Sequence, residues 1–148
     1  KNISSLNPVQ YRREVSYCFQ QPSLFGQTVR DNLIFPYEIR KVDVNDKQIA
    51  DLLNQVDLSA DFLDKKITAL SGGEKQRVAL IRNIIFLPKI LLLDEVTTGL
   101  DNQSKDIVHN LIKDVSEKGV TIIQVTHDQS EIDEASNILR VKKGGIIE

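Results

Sequence analysis

The chain has 148 residues, a net charge of −2, 41% apolar and 27% charged residues, which is the make-up of one ordinary globular domain. The near-neutral balance and the lack of a basic run exclude a general polyanion binder, so nucleic acid is not expected as a partner. The single cysteine, Cys18, excludes an internal disulfide framework, and the longest apolar stretch, 83–93, is broken by Pro88 and Lys89 and falls short of the about 20 residues a membrane span needs.

Residues 1–12 are polar and read as irregular, with a turn at Asn7-Pro8. The run 14–20, EVSYCFQ, is rich in strand formers and ends before Pro22, which cannot extend a central ladder; Cys18 reads as a buried structural thiol within it. A loop follows through Gln27. Thr28 can cap a short helix over 29–35 that Pro36 terminates. Ile49, Leu52, Leu53 and Val56 recur at helical spacing and predict an amphipathic helix over 45–56. A short helix or turn is expected over 58–67, and a longer helix over 74–86, striped by Val78, Ile81, Ile84 and Ile85. Residues 89–94 predict a strand buried on both faces. A helix over 102–118 ends at Gly119, and a buried strand over 120–126 precedes a short helix over 128–135. Two last strands, 138–141 and 146–147, join at a tight turn over 142–145. The second half thus alternates strand and helix, the pattern of a parallel α/β sheet. The segment 24–88 reads as a helical insertion, leaving 1–23 and 89–148 as the α/β core.

Ser71-Gly72-Gly73-Glu74 has the form of a capping box, serine at the N-cap and glutamate three positions on. Capping explains Ser71 and Glu74 but not the two glycines, each of which lowers helix propensity by about 1 kcal/mol. Glycines at a helix start let an anion approach free N–H groups. Asp94 and Glu95 close a buried strand at the end where open α/β sheets bind ligands. Adjacent strand residues point to opposite sides, so the two acids are expected to differ in task. One could hold Mg²⁺ and the other could orient or deprotonate a water. The alternative is a strand that simply ends in solvated acids. His127 follows strand 120–126 and falls at the same end of the sheet. Asp128 reads as a helix cap and His109 as a surface or half-buried residue.

Together these residues resemble the nucleotide-binding domain of ATP-binding cassette (ABC) transporters. Leu70-Ser71-Gly72-Gly73-Glu74-Lys75-Gln76 matches its signature motif, and Ile90 to Glu95 its Walker B motif with the catalytic glutamate. Gly99-Leu100-Asp101 resembles its D-loop, His127 its switch histidine, and Gln20 its Q-loop glutamine. The resemblance implies a P-loop NTPase core with a helical subdomain, using ATP and Mg²⁺. It implies that Asp94 and Gln20 serve the metal, Glu95 polarises the attacking water and His127 contacts the γ-phosphate. Ser71, Gly72, Gly73, Gln76 and Asp101 would bind nucleotide, the signature residues serving the ATP of a second copy in a head-to-tail dimer. The other partners implied are transmembrane subunits, met through the 20–27 loop and the helical subdomain, at the cytoplasmic face of a bacterial inner membrane.

Two departures stand out. Walker B is followed by Val96-Thr97-Thr98 in place of the family's usual residues, a mild change. More seriously, no G-x-x-x-x-G-K-[ST] run is present, the loop that cradles phosphates in this family. With Lys1 first and no methionine, the chain is expected to be a piece of a longer protein, lacking an upstream strand–loop–helix unit of roughly 30 residues. Alone it is expected to bind ATP weakly and hydrolyse nothing. Strand 120–126 would then lack a neighbour, which predicts strand-mediated association or a rearranged sheet. The stretches 11–17 and 28–33 are similar to small bacterial ATPase subunits of iron or metal export. Competing readings are an ABC-type ATPase of chromosome maintenance or repair and a non-catalytic interaction module. The first is disfavoured because only about fifty residues, with no sustained heptads, separate Gln20 from Leu70.

Overall fold

The computed structural model describes residues 2–142 and 145–147. After a 3-10 turn at Ile3–Ser5, the first α-helix is α1 (Pro8–Glu14), where the sequence suggested irregular chain. The side chain of Asn7 caps it by accepting from the N–H groups of Val9 and Gln10, and Pro8 takes the first helical position, where its missing N–H has no cost. Strand β1 (Val15–Cys18) follows, shorter than expected, so that Phe19 and Gln20 already lie in the loop.

Helix α2 (Val29–Glu38) begins at a Thr28–Asp31 capping box. It runs through Pro36 instead of stopping before it. Packing overrides the proline here: Tyr37 is buried, its hydroxyl reaches Gln48 Oε1 at 2.9 Å and its ring meets Phe86 edge-on at 4.9 Å. Helix α3 (Asp46–Gln55), short 3-10 turns at Ala60–Asp64 and Ile67–Ala69, and helix α4 (Gly72–Ile84) complete the helical half.

Strand β2 (Ile90–Asp94), helix α5 (Asn102–Glu117), strand β3 (Thr121–Val125) and helix α6 (Gln129–Glu134) supply the α/β pattern. The sheet is parallel in the order β1-β2-β3, with Cys18 beside Leu93 and Asp94 beside Val125. A separate antiparallel pair, β4 (Arg140–Lys142) and β5 (Gly145–Ile147), ends the chain; the middle of the turn expected between them lies outside the described residues.

One continuous apolar core joins the two halves, from Leu33, Ile49 and Leu53 through Val78 and Ile81 to Leu91, Leu93, Val108 and Leu111. The sheet is covered on one face only. Leu91 and Leu93 are buried beneath the helices, while Ile90 and Leu92 are half-buried and Ile123 and Val125 exposed on the other face. Strand 89–94 is therefore not buried on both sides as its composition suggested. The sheet is not rearranged: β3 pairs with β2 along one edge, and no strand occupies its other edge among the described residues.

Candidate functional site

The carboxyl ends of β1, β2 and β3 bring two of the sequence-predicted residues, Gln20 and His127, onto the side chain of a third, Glu95. Glu95 Oε2 accepts from Gln20 Nε2 at 2.7 Å, and Glu95 Oε1 lies 3.0 Å from His127 Nε2. The register explains the meeting. Gln20 is two residues past Cys18, Glu95 one residue past Asp94 and His127 two past Val125, all leaving the sheet at the same end. The imidazole of His127 is 87% exposed, so this pair is held by position more than by attraction.

Glu95 has φ 48°, a left-handed conformation that costs a residue with a side chain about 1–2 kcal/mol. It is fixed by its N–H donating to the Val125 carbonyl at 3.0 Å and by a turn in which the Thr98 N–H donates to the Glu95 carbonyl at 3.0 Å. The backbone twist turns the Glu95 carboxylate toward Gln20 and His127, while Asp94 remains on the strand. Asp94 Oδ2 accepts from the Tyr17 hydroxyl at 2.6 Å, which raises the Tyr17 phenol above its ordinary value, with burial adding to the effect. Tyr17 was not singled out in the sequence; its position three residues before Gln20 on the neighbouring strand is the signal that could have found it.

A resident Mg²⁺ fits this donor set. It takes oxygen ligands, one or two of them carboxylates, with waters and phosphate oxygens completing the shell. Asp94 and the Gln20 amide oxygen are available in kind, and among the described residues no cluster of three or more His, Cys, Asp or Glu side chains would complete a shell by itself.

The signature segment is built separately. Ser71 Oγ accepts from the Glu74 N–H at 3.2 Å and Glu74 Oε2 from the Ser71 N–H at 2.7 Å, the expected capping box, with Lys65 paired to Glu74 at 3.2 Å. Among the described residues no hydrogen bond or ion pair joins residues 71–76 to Gln20, Asp94, Glu95 or His127. The two glycines differ. A Cβ on Gly72 would meet nothing within 4 Å, which leaves the helix start open, whereas one on Gly73 would sit 2.9 Å from Ser104 Oγ. Gly73 thus admits close approach of α5, a packing role the motif did not reveal. Gln76, on α4, is only 3% exposed. Asp101 caps α5, accepting from the Ser104 N–H at 2.8 Å and its hydroxyl at 3.0 Å.

These glycines give a direct test. Gly72→Ala gains helix propensity without a clash, whereas Gly73→Ala must turn Ser104 Oγ away from Asp101. Urea denaturation is expected to find Gly72→Ala the more stable of the two by about 1 kcal/mol. Equal stabilities would contradict the packing role.

Several carboxyls near these elements are held below their ordinary range. The N–H groups of Gln27 and Thr28 do this for Asp31, the N–H and hydroxyl of Ser104 for Asp101, and Lys105 with Ser130 for Asp128. Burial pushes Glu74 and Glu131 up. It is outweighed at Glu74 by the Ser71 N–H and Lys65, and at Glu131 by Thr126, Thr97 and His109. Depressed carboxyls mean that the unfolded chain binds more protons, so stability is full above the unfolded values near 4 and is lost as pH falls below them. Thermal unfolding should give a midpoint that is level from pH 7 to about 5 and drops below about 4. A midpoint still level at pH 3 would rule this out. Cys18, by contrast, is pushed up to about 12 by burial, which keeps it a thiol.

A cleft of about 290 Å³ between α3 and the ends of α4 and α5, lined by Gln48, Leu52, Ile85 and Val115, touches none of the residues at the strand ends. No helix among the described residues is long and apolar enough to cross a membrane.

A family model described as "ABC transporter" matches residues 1–98. "Probable iron export ATP-binding protein FetA" of Escherichia coli (strain K12) is 46% identical over 143 residues, covering 96% of this chain and 64% of that protein. "ATP-dependent permease MDL1" of Candida albicans is 40% identical over 157 residues, 98% of this chain and 22% of that protein. "ABC transporter I family member 17" of Arabidopsis thaliana is 35% identical over 150 residues, covering this whole chain and 57% of its own length. The chain therefore spans less than two thirds of each of these relatives. The family match and the strand-end cluster of Gln20, Glu95 and His127 agree, and the chain belongs to the ABC transporter family.

Proposed function

We propose that this chain is part of the ATP-binding, ATP-hydrolysing component of an ABC transporter, which couples hydrolysis to transport across a membrane. The observation that carries this reading is the convergence of Gln20 and His127 on the Glu95 carboxylate, beside Asp94, where three parallel strands end.

In this reading Glu95 orients and deprotonates the attacking water, since a carboxylate held by a neutral amide keeps a free lone pair. His127, exposed and movable, donates from its ring to the γ-phosphate and relays nucleotide state to the loop that carries it. Asp94 and Gln20 hold Mg²⁺, and Tyr17 orients Asp94. The bound metal supplies charge neutralisation of the phosphate oxygens. Ser71 and the open N–H groups at Gly72 and Gly73 receive the γ-phosphate of a nucleotide held by a second copy, because a helix start favours anions. Asp101 lies at the same dimer face, and Gln76 contributes by packing the helix.

The 20–27 loop and the helical segment 24–88 meet the transmembrane partner, so the protein sits peripherally at the cytoplasmic face of a bacterial inner membrane. The cargo is iron or another metal ion, moved outward; the name of the Escherichia coli relative supports this.

Steady-state assays of the native protein test the reading. Mg²⁺-dependent ATP turnover is expected, and His127→Ala is expected to lower it at least about tenfold while nucleotide still binds. A folded native protein that binds no ATP would sink the proposal.

A further inference from the structure

A second side-chain cluster lies behind the strand ends and is centred on Glu131, whose side chain is only 5% exposed. Its Oε1 accepts from the Thr97 hydroxyl at 2.6 Å and from His109 Nε2 at 2.7 Å, and its Oε2 accepts from Gln124 Nε2 at 2.5 Å. Four segments are thereby tied to one carboxylate: the turn after Glu95, helix α5, strand β3 and helix α6. Lys105, one helical turn before His109 on the same face of α5, pairs with Asp128 at 2.8 Å and makes a second tie to the start of α6.

Position in the chain gives this cluster its meaning. Thr97 is two residues after Glu95, within the turn that holds Glu95 in its left-handed conformation. Glu131 is four residues after His127, on the helix that this histidine's loop leads into. A buried carboxylate with three donors is expensive to disturb, because each freed donor would be left without a partner. We infer that Glu131 is a positioning residue, whose bond to Thr97 fastens the turn carrying Glu95 to the helix following His127 and so sets the distance between the two. The inference rests on the roles given above to Glu95 and His127, but the geometry it describes can be measured without nucleotide.

Two variants and a control test it in the native protein. Thr97→Val keeps the volume of a fully enclosed side chain and removes its hydroxyl; Thr97→Ser keeps the hydroxyl. Glu131→Gln keeps the shape and removes the charge, and the exposed Glu134→Gln on the same helix is the control. In nucleotide-free protein, hydrogen exchange of the Glu95 amide, which bonds to the Val125 carbonyl, is expected to quicken about tenfold in Thr97→Val and Glu131→Gln. The core amide of Leu91 should keep its rate, and Thr97→Ser and Glu134→Gln should match the unaltered protein. For ATP hydrolysis, the same two variants should lower kcat about ten- to a hundredfold with KM changed little, as expected for a displaced reacting group.

If Glu131→Gln does not fold, Thr97→Val with Thr97→Ser carries the test. Unchanged Glu95 exchange in Thr97→Val would overturn the inference, and so would Leu91 exchange rising in step with Glu95. Faster Glu95 exchange in a protein that hydrolyses no ATP would uphold the positioning and defeat only the functional reading.

Discussion

Glu95→Gln is expected to lower ATP turnover by the native protein about 10²- to 10⁴-fold, equivalent to about 3–5 kcal/mol in the barrier. The substitution preserves length and planarity. The amide oxygen can still accept from Gln20 Nε2, which now donates at 2.7 Å, so the loop after β1 should stay in place. What disappears is the ability to take a proton from water. Binding should therefore survive while chemistry fails, and kcat should fall with KM within a few-fold. Single-turnover measurement of ADP release, with nucleotide binding followed in parallel, separates the two. Full turnover in Glu95→Gln would remove Glu95 from the proposed mechanism and leave its contacts as structural.

Asn32→Leu is expected to destabilise the fold by about 3–5 kcal/mol, a large part of the 5–15 kcal/mol available to a typical domain. Asn32 is fully buried in α2. Its Nδ2 donates to the carbonyls of Phe25 at 2.8 Å and Thr28 at 3.0 Å. Its Oδ1 accepts from the Phe25 N–H at 3.1 Å and from Arg82 Nη1 at 3.0 Å. Leucine has similar volume but would strand all of these groups, including a largely enclosed guanidinium that also lies over the Phe25 ring at 5.2 Å. Because Phe25 closes the loop that starts at Gln20, the loss should also loosen the loop proposed to meet the membrane partner. Urea denaturation should show a midpoint lowered by more than about 1 M, whereas Asn54→Leu on the exposed face of α3 should change little. Similar midpoints for the two would show that the buried network contributes less than its geometry implies.

Neither Asn32 nor Glu131 could have been selected from the sequence. Polar residues inside helical patterns normally face water, and what makes these two costly to replace is burial against partners 50 and 34 positions away, Arg82 and Thr97. A faint trace of the second cluster was present. Lys105 and His109 share one face of a helix, and Asp128 and Glu131 follow on the next, but only packing shows that these faces meet. The helix at Pro8 is legible through its asparagine cap, while the passage of α2 through Pro36 is not, because the burial of Tyr37 decides it.

The sequence by itself determined the α/β alternation, the capping box at Ser71 and the residues that converge at the strand ends. Each follows from local rules: residue spacing along a strand or helix, and parallel strands that all end on the same side. Only the tertiary structure decided what those residues touch. It turned Glu95 out of the strand into a left-handed conformation facing Gln20 and His127, gave Gly73 to the approach of Ser104, and enclosed Gln76. It also left one face of the sheet open where the composition of β2 indicated two buried faces. The physical reason is common to all four: a side chain's surroundings are set by elements distant in sequence, and no pattern within one element records which of its faces will be covered.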